Sequence, residues 1–366
     1  MLVLGTRPQI VKSAPLIQAL RRSKKNTIVL VHTGQHYDYI MTKQFFEELE
    51  MPEPDLNLGV GSGSHGRQTG LIVMRLEKEM VKDPPDLVIV PGDTNSALGG
   101  ALAASKLGLP IAHLEAGARS FDMMMPEEVN RRLADHCSAI LLAPTKNCLR
   151  NLKNERVPGK IFLSGDTMLD SLVQHRKKAL SDDILDNLGL CEGDYVLLTL
   201  HRPANVDDSA RLHDIMNSLG NLGQKIVFPV HPRTRVRLRR AGLLRSASVR
   251  ESVKLAEPVG YHEMIKLTEN ASIVLTDSGG VQKEAFWLGT PCVVLRENTE
   301  WPETLRHGSN YLIGTNGAAM KRAVRTLLSK RREAPLEPAR IVPFGEGKAS
   351  KRIARMLAAL SLRPVG

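Results

Sequence analysis

The stretch Leu87-Val-Ile-Val-Pro-Gly-Asp-Thr94, continued by Asn95-Ser-Ala-Leu-Gly-Gly-Ala-Leu-Ala-Ala-Ser-Lys106, decides the class of the fold. Residues 87–90 are an unbroken aliphatic run, as in a strand buried on both faces. From 96 to 106 the small and apolar residues return with helical spacing. Working outward, comparable strand-like runs stand at 2–4, 27–32, 111–114, 139–143 and 161–164. After a polar stretch at 181–194 the alternation restarts, with runs at 195–200, 225–230, 253–256, 272–276, 292–295 and 311–313 and helical periodicity between them, as at 281–288. Apolar strands alternating with helices predict parallel sheets. Two such series predict two doubly wound α/β domains with a cleft between them, the first spanning 1–170 and the second 171–345, the seam falling within 165–190. A last helix at 348–361 fits either domain by its pattern.

The chain's 366 residues suit two domains at about 150 residues each. Hydrophobic residues at 42% and charged residues at 24% are ordinary for a globular protein, and a chain this long buries a core without metal or disulfide staples. The four cysteines, Cys137, Cys148, Cys191 and Cys292, lack CxxC spacing, which argues against a zinc site and a disulfide framework. No apolar stretch approaches the roughly 18 residues of a membrane span. The start, Met1-Leu-Val-Leu-Gly-Thr-Arg7, lacks the basic, apolar and small-residue regions of a signal peptide. A soluble, cytoplasmic protein with no membrane partner is expected.

The net charge of +11 admits two ligand classes, a nucleic acid or a small phosphorylated molecule with the surplus left as solvated surface. Aromatic residues at 4% leave few stacking platforms for single strands. The densest run, Arg233-Thr-Arg-Val-Arg-Leu-Arg-Arg240, reads as a helix with exposed arginines. That balance favours the small ligand over a nucleic acid.

In doubly wound folds ligands bind beyond the carboxyl ends of the strands, so the residues after each run carry the chemistry. Gly5-Thr-Arg-Pro8 makes a tight turn into a helix on which Arg7 and Lys12 either reach one anion or stand as solvated cations. In Gly92-Asp-Thr94 the carboxylate of Asp93 is either a helix cap or a proton-transfer group. Glu115 ends a buried strand, where a charge is costly unless paired, so a role is indicated. Glu127 and Arg131 share one helix face at i,i+4, either as an ordinary ion pair or as part of a site. Together Asp93, Glu115 and Glu127 would supply a general acid and base.

Asp277-Ser-Gly-Gly280 follows a strong strand and opens a helix. Its glycines let a phosphate approach backbone N–H groups at the positive end of the helix, and Ser278 adds a hydroxyl. Glu284 stands about 6 Å further along the axis, near the span from a diphosphate to a ribose diol. His201-Arg-Pro203, at another strand end, points to phosphate contact. Gly61-Ser-Gly-Ser-His-Gly66 matches G-x-G-x-x-G only formally, since no buried strand precedes it, and GxxxxGK[ST] is absent. NAD and P-loop chemistry are therefore set aside.

Gly5-Thr-Arg-Pro with Lys12, Gly92-Asp-Thr, Glu115-Ala-Gly, Pro126-Glu-Glu-Val-Asn-Arg131, His201-Arg, Asp277-Ser-Gly-Gly-Val-Gln and Thr299-Glu-Trp-Pro-Glu303 occur in this order over nearly the whole chain. The set resembles the non-hydrolysing UDP-N-acetylglucosamine 2-epimerases. The resemblance implies a GT-B fold of two Rossmann-like domains facing a central cleft, with the terminal helix, about 346–366, returning to the first domain, and usually a homodimer. It implies interconversion of UDP-GlcNAc and UDP-ManNAc through 2-acetamidoglucal, without NAD or metal. Asp93, Glu115 and Glu127 become the acid/base candidates, and His201 joins the catalytic set as a substrate or phosphate contact. Arg7, Lys12 and Arg131 contact substrate, Ser278, Gly279 and Gly280 hold the diphosphate, and Glu284 holds the ribose. Gln35 and His36 resemble positions near a second, regulatory UDP-GlcNAc site.

The chain departs from the family pattern at Gln9, Ala118, Ala204 and Trp301, where Glu, Leu, Glu and Arg are usual. Its first strand run starts nearly at residue 1, so a start upstream is expected. Competing readings are a 2-epimerase of UDP-2,3-diacetamido-glucuronic acid, a hydrolysing relative that releases free ManNAc, a GT-B glycosyltransferase, and a basic nucleic-acid-binding protein.

Overall fold

The computed structural model describes residues 1–23, 26–35, 39–305, 310–333 and 342–360. The chain divides into two compact units, Met1–Gln174 with Ile341–Gly366, and His175–Arg340. In the first, β1 (Leu2–Leu4), β2 (Leu30–His32), β3 (Leu56–Asn57), β4 (Val88–Pro91), β5 (Ile111–Leu114), β6 (Ile140–Ala143) and β7 (Lys160–Leu163) form a seven-stranded sheet in the order β3-β2-β1-β4-β5-β6-β7. In the second, β8 (Val196–Thr199), β9 (Ile226–Pro229), β10 (Val253–Ala256), β11 (Ile273–Thr276), β12 (Cys292–Val294) and β13 (Asn310–Leu312) form a six-stranded sheet in the order β10-β9-β8-β11-β12-β13. Neighbouring strands pair in parallel throughout, as Leu2 with Leu30 and Val88 with Ile111 show.

The short aliphatic runs are strands because both faces are covered. In the second sheet Val196 and Leu198 enter one apolar cluster while Leu197 between them enters another, together with Val227 and Val274. Only β3 escaped the reading of the sequence. It is a two-residue edge strand with no aliphatic run, held by the pairing of Val31 with Leu56. The polar stretch at 181–194 contains a single helical turn, Ile184–Asn187. The terminal helix Ala349–Ala359 packs on the helix Arg7–Arg21, and its first turn donates from the N–H groups of Ala349 (3.0 Å) and Ser350 (2.7 Å) to the buried carboxylate of Asp170. Among the described residues no helix is long and apolar enough to cross a membrane.

In each sheet the strand order reverses once, between β1 and β4 and between β8 and β11, so adjacent connections leave the sheet on opposite faces there. That is where doubly wound folds open a crevice at the carboxyl ends.

His32, at the end of β2, shows a cost of this packing. Burial lowers its pKa to about 4, and its Nδ1 accepts the N–H of Gly34 at 3.2 Å. A neutral buried histidine that must stay neutral loses nothing above its ordinary pKa of about 6.5. Below that the unfolded chain takes the proton and the folded one does not, so stability falls as pH drops from about 6.5 to about 4. The loss approaches roughly 3 kcal/mol. Urea midpoints measured across that range should decline in the wild type and decline less in His32→Gln.

Candidate functional site

At the β1/β4 switch point Thr6 precedes the helix Arg7–Arg21, and Pro8 sits in its first turn. Lys12, one turn further, reaches past β4 and ion-pairs with Glu115, just beyond β5, both side chains being about one-tenth exposed. Glu115 holds φ +71°, a left-handed conformation that costs a non-glycine residue about 1–3 kcal/mol. Gly92 has φ +69°, and a Cβ there would stand 3.2 Å from Lys12 Nζ and 3.5 Å from Glu115 Oε2. A glycine is required at this turn.

Asp93 is not the helix cap. Thr94 caps the helix Asn95–Lys106, accepting from Ala97 N at 3.3 Å, which leaves the Asp93 carboxylate paired with Arg131. Asn130 Nδ2 donates to the Asp93 carbonyl at 3.0 Å. Arg131 in turn binds Glu128 at 3.0 Å, so it is the second glutamate of Pro126-Glu-Glu that orders the arginine. Glu127 is half-buried in the first turn of the helix Pro126–Cys137. Arg7 lies at the helix start, its guanidinium 5.6 Å from the centre of the Phe45 ring.

Beneath these groups runs a chain of alternating charge. Arg132 joins Glu128 (2.9 Å) to Glu155 (3.3 Å), Arg119 joins Glu155 (2.7 Å) to Asp135 (2.6 Å), and Asp135 meets His113 Nδ1 at 2.6 Å. Burial alone would push the Asp135 carboxyl up. The charges and hydrogen bonds of His113 and Arg119 outweigh it and hold the carboxyl below the ordinary range. Asp135 also accepts the N–H of Gly117 at 3.1 Å, and His113 Nε2 reaches the carbonyl of Gly92 at 2.7 Å.

The Gln9 departure is structural. Its amide oxygen accepts from Gly5 N at 2.9 Å and its nitrogen donates to the Pro91 carbonyl at 2.8 Å, a donation no carboxylate could make, tying the β1 turn to β4. Gln35 uses its side-chain oxygen on Ser96, from N (2.9 Å) and Oγ (2.6 Å), joining the β2 loop to the helix after β4. His36 lies outside the described residues.

In the second unit the loop after β8 is organised by Asp277, which is fully buried. Its carboxylate accepts the N–H groups of His201 (3.2 Å) and Arg202 (3.0 Å) and the amide of Asn205 (3.0 Å), while Arg202 Nε donates to its carbonyl at 2.9 Å. The His201 side chain stays half-exposed, with Nδ1 3.3 Å from Asp277. Ser278 caps the helix Gly279–Leu288, whose first residues Gly279 and Gly280 are half-buried, and Glu284 is one turn on and 4% exposed. The segment 299–304 is pinned to this helix, Thr299 Oγ1 donating to Gln282 Oε1 at 2.8 Å and Gln282 Nε2 to Thr304 Oγ1 at 2.7 Å. A Cβ on Gly279 would meet Trp301 Nε1 at 3.2 Å. Trp301 takes the buried ammonium of Lys283 over its ring at 4.0 Å. Ala204 is exposed on the one-turn helix Pro203–Val206.

The structure thus joins Lys12, Glu115, Asp93 and Arg131 in the first unit, and His201, Ser278, Gly279, Gly280 and Glu284 at one switch point of the second. Glu128, Asn130, His113 and Asp135 were not singled out in the sequence. The one available signal was a histidine inside the aliphatic run 111–114. Among the described residues no cluster of three or more His, Cys, Asp or Glu could hold a metal ion.

Such an arrangement defines a doubly wound α/β enzyme equipped to move a proton beside an anion. The family model of UDP-N-acetylglucosamine 2-epimerase matches residues 18–358. The UDP-N-acetylglucosamine 2-epimerase of Methanocaldococcus jannaschii is 45% identical over 364 residues, covering 97% of this chain and 98% of that protein. The UDP-2,3-diacetamido-2,3-dideoxy-D-glucuronate 2-epimerase of Pseudomonas aeruginosa is 44% identical over 365 residues, covering 98% and 99%. The crystal structure of the M. jannaschii enzyme in complex with UDP-GlcNAc and UDP matches with a TM-score of 0.91 at 45% identity, covering 98% of each chain. The chain belongs to the UDP-N-acetylglucosamine 2-epimerase family, with a fold of GT-B type.

Gly92→Ala should lower turnover on the UDP-sugar about tenfold, because φ +69° strains a residue with a Cβ and the added methyl, 3.2 Å from Lys12 Nζ, makes the turn beside the Lys12–Glu115 pair shift. Steady-state kinetics would check this, and a Gly92→Ala enzyme with unaltered kcat would refute the tight role given to this turn.

Proposed function

We propose that the protein is a non-hydrolysing 2-epimerase that interconverts UDP-GlcNAc and UDP-ManNAc. A base takes the C-2 proton as the C-1–oxygen bond to UDP breaks, giving 2-acetamidoglucal. Delivery of a proton to the other face of C-2 and re-addition of UDP at C-1 complete the change. The observation that carries this reading is the pair of cation-held carboxylates, Glu115 with Lys12 and Asp93 with Arg131, at one switch point. The C-2 proton is barely acidic, so departure of the diphosphate must assist its removal, and positive groups that stabilise the leaving anion lower that barrier. Asp93, Glu115 and Glu127 are the proton-transfer groups. His201, Arg7, Lys12 and Arg131 contact the substrate. The backbone at Ser278, Gly279 and Gly280 holds the diphosphate at the helix start, and Glu284 takes the ribose diol. Gln35 and His36 belong to a regulatory UDP-GlcNAc site. We place the reaction in the cytoplasm, supplying activated amino sugar for polysaccharide assembly.

Proton NMR of UDP-GlcNAc incubated with the enzyme in D₂O tests this directly. UDP-ManNAc with deuterium at C-2 in both sugars is expected, and Glu115→Gln should slow it by roughly 10²–10⁴. Free ManNAc with UDP would overturn the non-hydrolysing assignment. No reaction with UDP-GlcNAc but turnover of UDP-2,3-diacetamido-glucuronic acid would shift the substrate to that of the equally similar Pseudomonas relative.

The proposal includes a homodimer through the first unit. A groove there is lined by Gly66, Gly70, Val73, Met74, Leu98 and Val129, with Met74 67% exposed. Asn95 and Asn130 line the same groove, and Asn130 holds the Asp93 carbonyl, so a partner seated on it would support the site. Met74→Asp should halve the mass measured by light scattering and reduce turnover. A wild-type monomer would refute the dimer.

A further inference from the structure

We propose that His113, paired with Asp135, is a positioning residue for the acid–base cluster and acts as a ring carrying both protons. The inference rests on the proposed epimerase reading. His113 is fully buried in the middle of an aliphatic strand, where a leucine or valine would pack without penalty. Both of its nitrogens face acceptors. Nε2 lies 2.7 Å from the Gly92 carbonyl, which can only accept, so Nε2 donates. Nδ1 lies 2.6 Å from Asp135 Oδ1, and that carboxylate already takes Arg119 at 2.6 Å and the Gly117 N–H at 3.1 Å. An ionised carboxylate only accepts, so Nδ1 donates as well.

The ring thus ties three segments whose relative placement the reaction uses. Gly92 immediately precedes Asp93. Gly117 closes the turn that begins at the strained Glu115, and it cannot itself be replaced, since a Cβ there would stand 2.3 Å from the Cys148 carbonyl. Asp135 lies one turn beyond Arg131 on the same helix. The two ring hydrogen bonds of His113 go to Asp135 and the Gly92 carbonyl. His113 fixes the turns that carry the acid–base cluster, so its loss should change the transition-state fit more than substrate binding.

Asparagine and glutamine separate the two bonds, because an Asn amide nitrogen falls near the Nδ1 position and a Gln amide nitrogen near Nε2. His113→Asn keeps Asp135 and releases the Gly92 carbonyl. His113→Gln does the reverse. Expected is a fall in kcat of about 100-fold for His113→Asn with KM changed less than about threefold, and a fall of no more than about tenfold for His113→Gln, although both variants lower Tm. Equal kcat losses in the two, or losses confined to KM, would reduce His113 to packing and overturn the proposal. Nitrogen-15 NMR of the histidine rings provides a second reading independent of substrate. Both His113 nitrogens should show the protonated shift, and a single-proton tautomer would overturn the proposal even if the enzyme proves to act on another sugar.

Discussion

An ionised carboxylate with no exposure to water is worth several kcal/mol of penalty unless charges and N–H groups surround it, and Asp135 imposes that condition on the first unit. Its needs account for features that otherwise look unrelated. A histidine interrupts an aliphatic strand, an arginine follows Glu115-Ala-Gly-Ala and points inward, and a backbone N–H is turned towards it by a glycine with φ +81°. Arg119 then needs Glu155, Glu155 is shared with Arg132, and Arg132 with Glu128. The last member, Arg131, emerges at the ligand side and holds Asp93. The carboxylate of Asp93 is therefore the end of an alternating network rooted in the core, and its position is set by partners it does not touch.

The second unit solves the same problem with a different residue. There Asp277 is buried behind the loop it organises, accepting backbone N–H groups at His201 and Arg202 and the amide of Asn205. In both units the carboxylate that does the holding is fully covered, and the group that meets the ligand side is one loop forward.

Much of this was legible before the fold was in view. Aliphatic runs bounded by Gly, Asp and His located every strand except β3, whose two residues carry no pattern. The residues after those runs stand at the carboxyl ends of the strands, where doubly wound topologies bind their ligands. What was not legible was pairing. Glu127 and Glu128 are neighbours on paper, and only the rotation of their helix decides that Glu128 faces inward to Arg131 and Arg132. Gln9 read as a lost carboxylate, yet its value lies in the donor end of its amide, which meets a carbonyl from a strand 82 residues away. His113 lies inside a run that marks a strand, and nothing in that run shows which groups its ring nitrogens meet.

The contact between Lys283 and Trp301 ties two positions of the second unit to each other. A buried ammonium lies 4.0 Å from the centre of an indole ring, at the spot where an arginine would be more usual. An arginine at position 301 would press a second cation against Lys283 with little water to screen it, and truncating Lys283 would remove the cation that the indole ring faces. The side chains at 283 and 301 are therefore constrained together, each being the condition under which the other fits.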